Sequence, residues 1–146
     1  MITDTITQKI GEALKAHDEI RLSTLRLLSS AFNYEFIAKQ HKLSEDEEMV
    51  VVRREAKKRK EAIEAYEKAG YKDRADKEAK ELAILQEYLP PETSDEELNK
   101  IIDEAIAEIK PSSATQIGQV IGAVKAKTSG NAEGSKIAEL VKSKLA

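Results

Sequence analysis

The chain has 146 residues, 40% hydrophobic and 35% charged, with a net charge of −3. It is long enough for one medium domain or two small ones, too apolar for a disordered tail, and too acidic overall to act as a polycation. It contains no cysteine, which excludes disulfides, thiolate metal sites and cysteine nucleophiles and is compatible with a reducing compartment. Aromatic residues make up only 4% and tryptophan is absent, so the core must be built from Leu, Ile, Val and Ala.

The start, MITDTITQKIGEALK, lacks the basic and apolar regions of a secretory signal. The longest apolar runs, such as MVVV, fall far short of the ~20 residues a membrane span requires. The expectation is a cytoplasmic, soluble protein without a membrane partner.

Taken in chain order, the first predicted helix covers about residues 3–16, with Ile6, Ile10, Ala13 and Leu14 at helical spacing. A second starts near Asp18, a suitable N-cap. Its apolar residues Leu22, Leu25, Leu27, Leu28, Ala31, Phe32 and Phe36 cover much of the circumference, so it should be contacted from more than one side. Ser44 and Glu47 form a capping-box signal for a third helix. Its stripe is Met49, Val52, Ala56, Ile63 and Tyr66, with Arg59 in the remaining slot, and Gly70 is placed to terminate it. A fourth begins at about Asp73 with Ala75, Ala79, Leu82 and Leu85 facing inward. It stops at YLPPETS, because two adjacent prolines cannot continue a helix.

Beyond the prolines, Ser94 and Glu97 signal another capping box, followed by Leu98, Ile101, Ile102, Ala105, Ile106 and Ile109. Ser113 and Gln116 start a helix carrying Ile117, Val120, Ile121 and Val124; the last helix carries Ile137, Leu140, Val141 and Leu145. No segment alternates with period two. The expected architecture is all-α: an N-terminal unit of about four longer helices over 1–91, then a compact three-helix unit over 92–146.

Catalytic candidates are few. His17 and His41 lie near predicted helix ends, and the carboxylates of residues 45–48 sit where a helix start favours negative charge. There is no phosphate-binding loop and no metal-type His/Glu pair on one helical face, so neither cofactor nor metal is expected. The densest basic run is RREAKKRK, with Arg53, Arg54, Lys57, Lys58 and Lys60. Like charges at these helical spacings repel. Solvent and neighbouring acids, among them Glu61, Glu64 and the helix DRADKEAKE, are the first account of how they are offset; an RNA phosphate backbone is the second.

The stretch KAKTSGNAEGSK, residues 125–136, breaks the helical pattern and is basic. From Pro111 onward there are five lysines (Lys125, Lys127, Lys136, Lys142, Lys144) against two glutamates. Gly118 and Gly122 stand one turn apart in the preceding helix, each costing roughly 1 kcal/mol against alanine. Close helix packing is expected to account for at least one of them; close approach of a phosphate backbone is the alternative. Gly130 supplies a permissive backbone, and Asn131 can cap the last helix. Free N–H groups there, beside Lys125 and Lys127, make either an anion site or an ordinary interhelical turn.

Three segments, KAHDEIRLSTLRLLSSAFNYEF, KKRKEAIEAYEKAGYKDRADKEAKELAILQEYLP and IGQVIGAVKAKTSGNAEGSKIAELVKSKL, resemble successive signatures of the YqeY family, small bacterial proteins of the GatB/YqeY group. The last segment is also similar to the tail domain of GatB, a component of the tRNA-dependent amidotransferase, which is a glutamine-dependent carbon–nitrogen ligase acting on misacylated tRNA. The resemblance implies a non-catalytic helical module that engages tRNA, with Gly118, Gly122, Lys125, Lys127, Gly130, Asn131, Lys136 and Lys142 as the RNA-binding positions, and Ala132 matching as well. It implies no DNA sequence specificity, and the ligase's catalytic parts have no counterpart in this chain. Where the YqeY form usually has aspartate after the small residue, Ala132 is followed here by Glu133 and Gly134, which would partly cancel a phosphate site. The alternative reading is a protein-interaction adaptor or accessory subunit in translation.

Overall fold

The computed structural model describes residues 1–146 and contains seven α-helices and no strand: α1 Ile2–Lys15, α2 Glu19–Lys39, α3 Glu45–Ala69, α4 Lys72–Gln86, α5 Asp95–Ile109, α6 Ala114–Lys127 and α7 Gly134–Leu145. The chain divides into two compact units, Met1–Leu89 with α1–α4 and Pro90–Ala146 with α5–α7. No helix is long and apolar enough to cross a membrane.

The helix ends follow local chemistry. Asp18 Oδ1 accepts the Arg21 N–H at 3.1 Å and starts α2. Ser44 and Glu47 form the full reciprocal capping box at α3. At α5 the Ser94 hydroxyl accepts the Glu97 N–H at 3.2 Å, but the return bond expected from the Glu97 side chain is not made. Three helices end in Schellman turns, in which a left-handed residue lets the chain bond back to the last carbonyls. His17 does this after α1, Gly70 after α3 and Ser129 after α6, at φ 56°, 81° and 51°. His17 is therefore a helix terminator.

In the N-terminal unit α2 lies against α1, α3 and α4. Its core contains Ile6, Leu28, Phe32, Leu43, Val51, Val52, Ala56 and Leu85. Each such fully buried aliphatic side chain stabilises the fold by about 1.5–3 kcal/mol. Three expectations are corrected. Leu27 and Phe36 of α2 are half exposed: Leu27 shares a bare side with Tyr34 and Ile37, while Phe36 lies on the opposite side in the last turn of the helix. Ala79 of α4 is exposed, and the inward face is Ala75, Glu81, Ile84 and Leu85 with Leu82 packed against the core. Ile63 and Tyr66 are only half-buried, because the outer part of the α3–α4 hairpin runs beyond the core: from residue 60 to residue 80 only Ala75 is buried.

Two polar groups inside this unit hold helices together. Glu48 on α3 is 1% exposed and accepts the Ile2 N–H and the Thr3 hydroxyl, both at 2.7 Å, so α3 supplies the cap that α1 lacks on its own residues. Arg59 is buried between Glu55, at 2.9 Å, and Glu81 of α4, at 3.6 Å. Burial and the neighbouring Glu78 push the Glu81 carboxyl above its ordinary range.

The C-terminal unit packs α5, α6 and α7 around Leu98, Ile102, Ala105, Val120, Val124, Ile137 and Val141, six of them with no measurable exposure. Ser112 donates through both its backbone N–H (2.6 Å) and hydroxyl (2.8 Å) to Gln116 Oε1, and Ser113 caps α6.

Candidate nucleic-acid interface

The basic stretch 125–136 is the turn between α6 and α7. Thr128 ends α6, with its hydroxyl donating to the Lys125 carbonyl at 3.1 Å. Ser129 and Gly130 both take left-handed backbone, and the Gly130 N–H returns to the Lys125 carbonyl at 3.3 Å. Gly130 thus has the conformation that its residue type favours. Asn131 does not cap α7; Glu133 occupies that position without a side-chain cap bond. The Asn131 backbone instead bridges, its N–H donating to Thr128 and its carbonyl accepting from the Thr93 N–H at 3.0 Å. The turn is thereby pinned to the segment that leads into α5.

Gly118 and Gly122 lie on an exposed face of α6, and a Cβ added at either would meet nothing within 4 Å. The helix-packing explanation is therefore overturned: no neighbouring helix requires either glycine. At 3.6 residues per turn Lys125 falls on the same side, roughly 20° from Gly118 and about 60° from Gly122. Its side chain crosses to the start of α7, where Cε and Nζ would lie 2.8 and 3.0 Å from a Cβ at Gly134. The result is a strip of bare backbone that ends in an ammonium group placed over a helix N-terminus.

The other lysines divide between two surroundings. Lys136 is hydrogen-bonded to Asp95, and that bond raises its ammonium above the ordinary lysine value. Lys144 pairs with Asp103 at 2.8 Å, and Lys127 faces Glu108 at 3.9 Å. All three acids belong to α5, which carries six carboxylates and one lysine. Lys125 and Lys142 have no carboxylate within ion-pair distance. Lys142 sits roughly 120–160° round α7 from Lys136 and Lys144. The lysines do not share one surrounding: Lys127, Lys136 and Lys144 are drawn to the α5 side, while Lys125, with Gly118 and Gly122, remains open. Over the whole unit seven lysines stand against nine carboxylates, so the unit as a whole is acidic.

The second basic run is largely answered by acids. Arg54 bonds Glu35 of α2 at 2.8 Å, and Lys58 bonds Glu55 at 3.1 Å. Arg59 turns inward to Glu55 and Glu81, the latter in the DRADKEAKE helix. Arg53 and Lys60 have interaction partners as well. Lys57 is exposed. Sequence reading missed Glu48 as a cap and Arg59 as a buried ion; the one visible signal was an arginine occupying a slot in an apolar stripe. No group of three or more His, Cys, Asp or Glu side chains is arranged to hold a metal ion. His41 Nδ1 lies 2.9 Å from the Lys42 carbonyl, and its Nε2 lies 3.6 Å from Glu47.

Comparison with known proteins agrees with the whole-chain character of the resemblance. Over 127 residues the chain is 31% identical to "Altered inheritance of mitochondria protein 41, mitochondrial" of Kluyveromyces lactis, covering 84% of this chain and 69% of that protein. It is 29% identical over 89 residues to "Uncharacterized protein C22F3.15" of Schizosaccharomyces pombe, covering 61% of this chain and 72% of that one. These names state no reaction. The family described as "Yqey-like protein" matches residues 3–145, so the chain is a member of the YqeY family.

Proposed function

We propose that the protein is a non-catalytic module that binds tRNA or another structured RNA through the α6–α7 side of its C-terminal unit. The observation that carries this reading is the exposed glycine strip, Gly118 and Gly122, running to the unpaired Lys125 at the start of α7. Glycines that no packing explains, on a helix that would be more stable without them, leave room for a phosphate backbone to approach. Lys125 and the α7 N–H groups supply donors, and Lys142 adds charge. Lys127 and Lys136 would contribute only by leaving Glu108 and Asp95. Binding of this kind reads backbone shape rather than base sequence. The setting proposed is the cytoplasm; the mitochondrial designation belongs to the Kluyveromyces lactis relative.

Because few cations are open, the salt dependence of binding should be modest, with a log–log slope of about −2 if Lys125 and Lys142 alone contact phosphates. The test is a gel shift of the protein with bulk tRNA across a salt series. The Lys125→Ala/Lys142→Ala variant should bind at least tenfold more weakly. A flat salt response, or wild-type affinity in that variant, refutes the reading.

A second reading, an adaptor for a protein of the translation machinery, is favoured by the bare side of α2. On that side Tyr34 is 81% exposed, Ile37 68% and Leu27 51%, an apolar display along one helix face. Co-purification with and without nuclease separates the two: partners lost with RNA support the first reading, and partners that survive support the second. An accessory role in amidation would likewise need other chains.

A further inference from the structure

The outer half of the α3–α4 hairpin is not needed for the core of its unit, yet its end is organised. Between residue 60 and residue 80 only Ala75 is buried, and none of those residues belongs to the cluster around Leu28, Phe32 and Val52. From Arg59 to the end of α3 the helix runs about 15 Å beyond that core. At the tip the Arg74 guanidinium lies 5.0 Å from the Tyr71 ring centre and 5.9 Å from that of Tyr66. Arg74 makes no ion pair; its contacts are with the two rings. A shallow concavity runs along Gly70, Tyr71, Lys72, Asp73 and Arg74. Tyr71 is 54% exposed although Arg74 covers part of it.

This arrangement has a chemical logic. Stacking on aromatic rings fixes the plane of a guanidinium while leaving its N–H fork free for a doubly bonded acceptor. A half-exposed tyrosine is a flat surface with a π face, and every nucleobase can stack on one. Residues 67–76 contain Lys68, Lys72 and Arg74 against Glu67, Asp73 and Asp76, so the tip is balanced in charge, and the cations flanking Tyr71 are Lys72 and Arg74. An acidic peptide would use the fork but would have no use for the open ring.

We propose that the hairpin tip is a nucleotide-binding point for unpaired RNA, with a base stacked on Tyr71 and the adjoining phosphate held by Arg74 and Lys72. Tyr66 acts as a positioning residue that holds Arg74 in plane. The ligand class rests on the RNA reading given above, but the residues lie in the other unit and are tested separately.

The experiment uses the full chain and a fluorescein-labelled 12-nucleotide single-stranded RNA of mixed sequence, read by anisotropy. Tyrosine emission is followed in parallel with unlabelled RNA, which is informative because the chain has four tyrosines and no tryptophan. RNA should quench tyrosine emission. Tyr71→Ala should weaken binding about tenfold, and Tyr71→Phe should retain it. Arg74→Lys should weaken it about fivefold although the charge is kept, because the planar fork is lost. The Lys125→Ala/Lys142→Ala variant should still show the quench. Emission unchanged by RNA overturns the proposal, as does wild-type affinity in both Tyr71→Ala and Arg74→Lys. A ten-residue polyglutamate that competes with RNA, and whose binding survives Tyr71→Ala, would make the site a carboxylate-peptide site and overturn it too. Loss of binding only in the α6–α7 variant sinks the tip and leaves the C-terminal surface standing; loss only in the tip variants does the reverse.

Discussion

Gly118 and Gly122 allow stability and binding to be tested with the same two positions. Each sits in the interior of α6, and neither has a neighbour within 4 Å of an added Cβ. Alanine at either site therefore adds no clash and removes the backbone freedom of glycine in the unfolded chain. The gain is about 0.5–1 kcal/mol per site, or about 1–2 kcal/mol for the pair. If the 57-residue unit Pro90–Ala146 melts as its own transition, a gain of that size raises its midpoint by roughly 5–15 °C. Thermal denaturation followed by circular dichroism or calorimetry measures it. Gly118→Glu/Gly122→Glu supplies the second arm. Glutamate is also a good helix former, so stability should rise or hold, but two carboxylates would now stand on the strip and tRNA affinity should fall at least tenfold. A lower midpoint for the double alanine variant would mean that side chains do pack there and the strip is structural. Unchanged tRNA affinity in the double glutamate variant would mean that the strip is not the RNA face.

Glu48→Ala should destabilise the protein by about 2–4 kcal/mol in urea denaturation, because the Ile2 N–H and the Thr3 hydroxyl both lose a charged acceptor; Thr3→Ala should lose about half as much. Gly70→Ala should cost about 1–2 kcal/mol although no atom lies within 4 Å, since φ there is +81°; a neutral result would show that the turn relaxes. Glu81 has a pH signature. Burial and Glu78 raise its carboxyl above the ordinary 4.5, so the folded protein holds that proton more tightly than the unfolded chain does. The stability it contributes is complete below about pH 4.5 and is lost as pH rises through the raised value. Glu81→Gln should therefore flatten the decline of stability immediately above that pH, and an unaltered pH profile would count against it. Gly134→Ala should fold normally, because the clash is with the flexible end of Lys125, but should reduce tRNA affinity by displacing that ammonium; wild-type affinity would remove Lys125 from the site.

Several sites in the fold show how far a linear reading reaches. Ser44, Asp18 and Ser113 cap the helices that their spacing announces, since a cap depends on residues within one turn. Ile102, Val120, Val124, Ile137 and Val141 fall on buried faces because periodicity alone places them there. Ala79 and Phe36 did not follow this rule, since a residue on an apolar stripe is buried only where another element covers it. For the candidate site the basic stretch and its glycines were visible, but their surroundings were not. Lys125 and Lys127 are two residues apart, yet one reaches the start of α7 and the other faces Glu108.

By itself the amino-acid order determined an all-helical chain, most helix ends, the apolar faces of both cores and membership of the YqeY family, because each of these depends on local chemistry or on similarity along the whole chain. Which lysines stay open was decided only by the tertiary structure. Asp95 and Lys136 are 41 residues apart, as are Asp103 and Lys144, and these charges meet only once α7 packs against α5. The same holds for the glycine strip, where the absence of a covering helix, and not the glycines themselves, turns a weakness in α6 into an accessible surface.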